Sequence, residues 1–192
     1  MTITFIRHGK TLGNIEKRYI GKTDEALCEV GAAEIRQNVI KKKYPAADIV
    51  FSSPMKRCLE TCSLIYPQKQ PVLIEDFCEM DFGSFEGKNY GELKDNPEYQ
   101  KWLKSGGEKP FPGGESRADF VRRTMRGFDR MIEEISLFRG NSSCGGETFL
   151  QKNLRISAVV HGGTIMAVMS SLTKKNYYDF QILNGEFLSY EF

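Results

Sequence analysis

The sequence predicts an α/β protein, a three-layer α/β/α sandwich around a mostly parallel sheet. Short β-branched, apolar runs alternate with longer amphipathic segments, the pattern of strand–helix units laid side by side. Two of the runs, Thr2–Arg7 and Arg155–Val160, are each followed by His-Gly. At 192 residues the chain suffices for one ordinary core, and it shows no internal repeat or linker that would divide it.

The elements follow in order. Thr2–Arg7 reads as a strand, and a loop runs from Gly9 to Thr23. Residues 25–44 read as a helix whose apolar members are Leu27, Val30, Ile35, Val39 and Ile40. Asp48–Ser52 is a strand, and Ser53-Pro54 reads as a cap with proline at the first helical position, opening a helix to Tyr66. Pro71–Glu75 gives a short strand. Residues 80–114, rich in glycine, proline and aromatics, carry two short helices (Tyr90–Asp95 and Pro97–Lys104) and read as a lid-like insertion over a site. Ser116–Phe138 is a long helix burying Phe120, Met125, Phe128, Met131, Ile132 and Ile135, with Arg122, Arg123, Arg126 and Arg130 as a solvated face. Residues 139–153 read as loop, Arg155–Val160 as a strand, Gly162–Leu172 as a helix and Phe187–Phe192 as an edge strand.

Composition excludes several classes. The 27 basic residues nearly balance 25 acidic ones, a net charge of +2, so no nucleic-acid partner is expected. No apolar run approaches the roughly 18–20 residues that span a bilayer, and the N-terminus lacks a signal-peptide pattern, so no membrane association is expected. The five cysteines (Cys28, Cys58, Cys62, Cys78, Cys144) are odd in number and lack CxxC spacing, which predicts free thiols and a cytoplasmic setting.

The chemistry is expected where the only two histidines sit. His8 and His161 each follow a strand and precede glycine, and ligands of open α/β sheets bind outside the carboxyl ends of strands. Arg7 adjoins His8, and Arg57 lies in the first turns after a strand, near a helix N-terminus; guanidinium forks and helix N-termini both suit a phosphate. A neutral imidazole is a competent nucleophile for phosphoryl transfer, and a carboxyl group a competent acid for the leaving oxygen. Glu79 is a candidate for that acid, with Glu75, Asp76, Asp81 and Glu86 as rivals that spacing alone does not separate. Gly9-Lys10-Thr11 and Gly21-Lys22-Thr23 imitate the end of a P-loop, but Thr4 and Glu16 stand where its first glycine belongs. The arginine that a cysteine phosphatase needs beyond its nucleophile is missing, since Glu34, Leu64, Gln68, Ser84 and Leu150 hold the corresponding positions. Two histidines without clustered carboxylates argue against a metal-dependent hydrolase.

Arg7-His8-Gly9-Lys10-Thr11 with Asn14, Gly21-Lys22-Thr23-Asp24, Ser52-Ser53-Pro54 with Arg57, Glu79 through Gly87, Gly113-Gly114-Glu115-Ser116 and Val160-His161-Gly162-Gly163 follow one another in order. Together they resemble the histidine phosphatase superfamily, the phosphoglycerate mutase-like enzymes. The resemblance implies that fold, His8 as the phosphorylated residue, and Arg7, Arg57 and His161 as ligands of the phosphoryl oxygens. It selects Glu79 as the acid, places Asn14, Gly21 and Gly162 around the phosphate and Phe82 on the substrate, and implies no metal or cofactor. The runs from Glu79 to Gly87 and from Pro112 to Ser116 are similar to α-ribazole phosphatases of cobalamin assembly. Met80 and Phe82 stand where mutases carry arginine and tyrosine, and Gly163 where they carry asparagine. The expectation is therefore a phosphomonoesterase acting on a small phosphorylated metabolite, with a mutase or a catalytically silent phosphate-binding module as alternatives. Oligomeric state is not legible.

Overall fold

A computed structural model describes residues 1–141 and 154–192. Five strands form one sheet in the order β3-β2-β4-β1-β5: β1 Thr2–Arg7, β2 Ile49–Ser52, β3 Val72–Leu73, β4 Arg155–Val160 and β5 Phe187–Glu191. All neighbours run parallel except β5, which pairs antiparallel with β1 at the edge.

Alternation along the strands feeds two cores, as a sheet covered on both faces requires. Ile3 and Phe5 of β1, Ile49 and Phe51 of β2, and Ile156, Ala158 and Val160 of β4 pack against α6 (Arg117–Asn141) and α7 (Gly162–Thr173). Ile6, Val50 and Val159 point the other way, onto α2 (Glu29–Ile40) and α3 (Lys56–Ile65). In α6 the residues Phe120, Thr124, Phe128, Met131 and Ile135 are buried at three- and four-residue spacing, one stripe of the helix.

That arrangement positions the site. The helix after β1 lies on one face and the helix after β4 on the other, although the two strands are neighbours, and their carboxyl ends therefore open a crevice between them. In register Arg7 lies opposite Val160, and the His8 amide donates to the Val160 carbonyl at 3.0 Å. The next residue on each strand is a histidine, so the register sets the two imidazoles side by side.

Several local expectations change. A short helix, α1 (Leu12–Ile15), occupies part of the expected 9–23 loop, capped by Thr11. The helix expected from residue 25 begins at Glu29, because Cys28 serves as its N-cap and the Leu27 amide is taken by the Glu60 carboxylate. Its inward stripe is Gly31 and Ile35, which leaves Val30 and Ile40 exposed. The helix expected from Pro54 begins at Lys56 with Met55 as N-cap, and Ser53 turns its hydroxyl toward the site instead. The strand expected over 71–75 shrinks to two residues, since residues 75–77 wind into a 3₁₀ turn. The helices α4 (Tyr90–Leu93) and α5 (Pro97–Lys104) form inside 80–114, the latter with Pro97 in its first turn and Asn96 as cap. The long helix continues three residues past its expected end, through Asn141; the rest of the expected 139–153 loop, with Cys144, lies outside the described residues. Among the described residues no helix is long and apolar enough to cross a membrane, and Cys28, Cys58, Cys62 and Cys78 are free thiols.

Candidate active site

His8 is 4 % exposed and donates from Nδ1 to the carbonyl of Gly9 at 2.7 Å. A carbonyl only accepts, so the ring proton is on Nδ1 and the Nε2 lone pair is left for chemistry. The ring lies 5.2 Å from that of His161, centroid to centroid and edge-on. His161 is fully buried; its Nδ1 accepts from Arg57 Nε at 3.2 Å, and its Nε2 reaches Ser53 Oγ at 2.8 Å. Because guanidinium can only donate, the proton of His161 is on Nε2 and passes to Ser53.

Arg57 is 0 % exposed, yet its hydrogen bonds all go to neutral acceptors: His161, the Thr23 carbonyl at 2.8 Å and the Gly21 carbonyl at 2.9 Å. Among the described residues two of its five N–H groups remain over. Arg7 donates from Nη1 to the Ile182 carbonyl at 2.6 Å, while its buried Nε has no partner among the described residues. Buried guanidinium charge that neutral oxygens hold, with donors to spare, is a seat for an anion. Gly162 lets Arg7 lie against the backbone, since a Cβ there would meet the guanidinium carbon at 3.2 Å.

Both imidazoles are held well below their ordinary pKa, by burial first and then by the Arg57 charge; Arg7 adds to the effect on His8, and His8 and Arg7 to that on His161. The sign for stability follows. In the unfolded chain each histidine takes a proton as pH falls through about 6.5, while the folded protein keeps both neutral. The unfolded state then binds more protons, so stability is full above that pH and falls below it, by up to about 1.4 kcal/mol per histidine per pH unit until the folded histidines titrate. Denaturant titrations from pH 8 to 5.5 should show the decline setting in near 6.5. A stability that stays level across that window would contradict the neutral pair.

Glu79 follows the 3₁₀ turn that closes β3 and comes to the same crevice. Its Oε1 accepts the Met80 amide at 2.9 Å and its Oε2 the Gly163 amide, at the start of α7, at 3.2 Å. Asn14 Oδ1 accepts from the Thr11 amide and from Asn184 Nδ2, both at 3.1 Å. Gly21 is buried tightly beneath Met80, whose carbonyl a Cβ would meet at 1.8 Å; it supports Arg57 and does not line the cavity.

A cavity of about 680 Å³ opens here. Of the residues expected at the site, Arg7, Asn14, Glu79, Phe82 and Gly162 line it. His8, Arg57 and His161 are buried beside them. Aromatic rings (Tyr19, Phe82, Trp102, Phe111, Tyr177 and Tyr178) line it as well, together with the cationic Lys17, Arg18 and Arg117. Asn184 was missed, although it also holds the His8 carbonyl at 3.1 Å; its only sequence signal is the Asn-Gly turn before β5. Thr61, whose hydroxyl accepts the Gly9 amide at 3.0 Å and donates to the Arg57 carbonyl at 2.7 Å, carried no signal at all.

Fold and site define a class of α/β protein in which two strand-end histidines share a crevice with two arginines and a glutamate. The chain belongs to the histidine phosphatase superfamily, branch 1, whose pattern matches residues 3–192. It is 31% identical over 180 residues, 88% of this chain and 74% of the relative, to a 2,3-bisphosphoglycerate-dependent phosphoglycerate mutase of Gloeobacter violaceus. It is 33% identical over 136 residues to a bifunctional protein of Mycobacterium tuberculosis; that match takes in 68% of this chain and spans only 37% of the relative's length. In fold it is similar to the crystal structure of a candidate α-ribazole-5′-P phosphatase from Escherichia coli, with a TM-score of 0.78 and 23% identity over 98% of this chain and 89% of the other.

Proposed function

We propose that this chain is a phosphomonoesterase that hydrolyses a small phosphate ester through a phosphohistidine on His8. The observation that carries the reading is a buried imidazole held neutral, with its Nδ1 proton fixed on Gly9 and no partner on its Nε2 among the described residues, beside two guanidiniums that neutral acceptors hold. His8 Nε2 attacks phosphorus, the bond from phosphorus to the ester oxygen breaks, and Glu79 gives that oxygen a proton. Water then attacks the phosphohistidine, Glu79 takes its proton, and the products are an alcohol and inorganic phosphate. Arg7 and Arg57 meet the charge that gathers on the phosphoryl oxygens. His161 donates its Nε2 proton to Ser53, so we assign it to the support of Arg57, with direct contact to the phosphoryl group requiring that bond to yield.

The aromatic rings that line the cavity suit a flat ring, while Lys17, Arg18 and Arg117 in the same lining would meet further negative charge. The rings favour an ester whose leaving alcohol bears an aromatic ring, with α-ribazole 5′-phosphate as the candidate substrate. The test is a phosphate-release screen over α-ribazole 5′-phosphate, sugar phosphates and phosphoglycerates. Ring-bearing esters should exceed 3-phosphoglycerate in kcat/KM by about tenfold or more, the worth of one good stacking contact. Isomerised 3-phosphoglycerate with little free phosphate would make the chain a mutase. Failure to trap any phosphohistidine would make it a silent phosphate-binding module.

A further inference from the structure

Arg123 is the arginine of α6 that does not belong to the solvated face on which its sequence placed it. Arg122 and Arg126 keep 68% and 61% of their side chains exposed, Arg123 only 20%. All five of its N–H groups are used. Nε and Nη2 form a two-pronged pair with Glu115, each at 2.9 Å. Nη1 donates to the carbonyls of Asp76 at 2.9 Å and Cys78 at 3.0 Å, and Nη2 also reaches the carbonyl of Glu79 at 3.3 Å.

The other end of the same segment is tied by the partner of that pair. The Glu115 carboxylate accepts the Asp81 amide at 2.9 Å, and the Glu115 amide donates to the Asp81 carbonyl at 2.9 Å. Residues 76–81 therefore hang between one guanidinium and one glutamate, with Glu79 between the two anchors. Neither anchor lines the cavity, and the charge of Arg123 is met by Glu115 and not left open for an anion. Without these bonds the carbonyls of 76, 78 and 79 would lose the donors that fix the path of the chain into Glu79.

We infer that Arg123, together with Glu115, is a positioning residue that sets the Glu79 carboxyl against the leaving oxygen. This rests on the reading of Glu79 as the proton donor, and the test separates the two. The measurement is kcat/KM for a series of aryl phosphates, from p-nitrophenyl phosphate to phenyl phosphate, which reports the steps up to loss of the phenol. A leaving group that needs no proton is indifferent to Glu79; a poor one depends on it. In Glu79→Gln, phenyl phosphate should lose on the order of 10²-fold more than p-nitrophenyl phosphate. Arg123→Lys, which keeps the charge but cannot reach three carbonyls and Glu115 at once, should steepen the same dependence by about tenfold across the series, and Glu115→Gln by a similar amount.

A merely structural role moves every substrate down together, because loss of folded enzyme scales all rates alike. Partial unfolding of a variant therefore leaves the slope readable. If Glu79→Gln steepens the dependence and both anchor variants shift it in parallel, the positioning role is wrong and the proton donor stands. If Glu79→Gln itself only shifts it in parallel, the proton-donor reading fails and takes the inference with it.

Discussion

Replacing His8 with asparagine should lower kcat for every phosphate ester by on the order of 10⁴-fold or more, the scale of loss when a covalent nucleophile is removed. The size of the effect follows from how the imidazole is held. Its Nδ1 proton is committed to the Gly9 carbonyl, and burial with the charges of Arg57 and Arg7 keeps it neutral. The Nε2 lone pair is thus present at any pH near neutrality, and no other imidazole can take its place, because His161 is committed to Arg57 and Ser53. The wild-type protein, mixed briefly with a ³²P-labelled ester and quenched in alkali, should retain label that acid removes; the variant should retain none. Labelling that survives in His8→Asn would place the nucleophile elsewhere.

Arg57→Met should damage folding and turnover together. The guanidinium is wholly buried and ties two parts of the chain to α3: the loop before α2, through the Gly21 and Thr23 carbonyls, and His161 at the end of β4. Methionine fills much of the volume but leaves two buried acceptors, at His161 and Gly21, and the part-buried Thr23 carbonyl without a donor, for which a loss of about 3–5 kcal/mol of stability is expected. The removed charge also lowered the pKa of both histidines, so both should titrate closer to their ordinary range in the variant. With one cationic ligand of the phosphoryl group gone, kcat/KM should fall by about 10²–10³-fold. Denaturant unfolding and turnover of p-nitrophenyl phosphate measure the two effects. Stability and activity both within a few-fold of wild type would show that the guanidinium serves neither purpose.

The strands were legible as short continuous apolar runs, because both faces of the sheet are covered and Ile3, Phe5 and Ile6 are all buried, and α6 was legible by its buried stripe. Element ends were less so, since they hang on single long-range bonds such as Leu27 to Glu60 and Ser53 to His161. For the site, His8 and His161 could be singled out as the only histidines, each at a strand end before glycine. Glu79 could be chosen over its neighbours only by family resemblance, because five carboxylates lie within a short stretch and spacing does not say which one faces the crevice.

What the sequence determined by itself was the alternation that makes an α/β sheet, and a pair of histidines and arginines suited to a phosphate. Tertiary structure decided the rest. The parallel register of β1 and β4 set the imidazoles 5.2 Å apart. Packing turned Arg123 inward among a helix of solvated arginines, and gathered Tyr19, Phe82, Trp102 and Tyr177 from four distant segments into one wall. The physical reason is one of range. Periodicity and turn chemistry act over a few residues and can be read locally, whereas the partner of a buried guanidinium or a cavity-lining ring is fixed only when strands and helices separated by tens of residues close on one another.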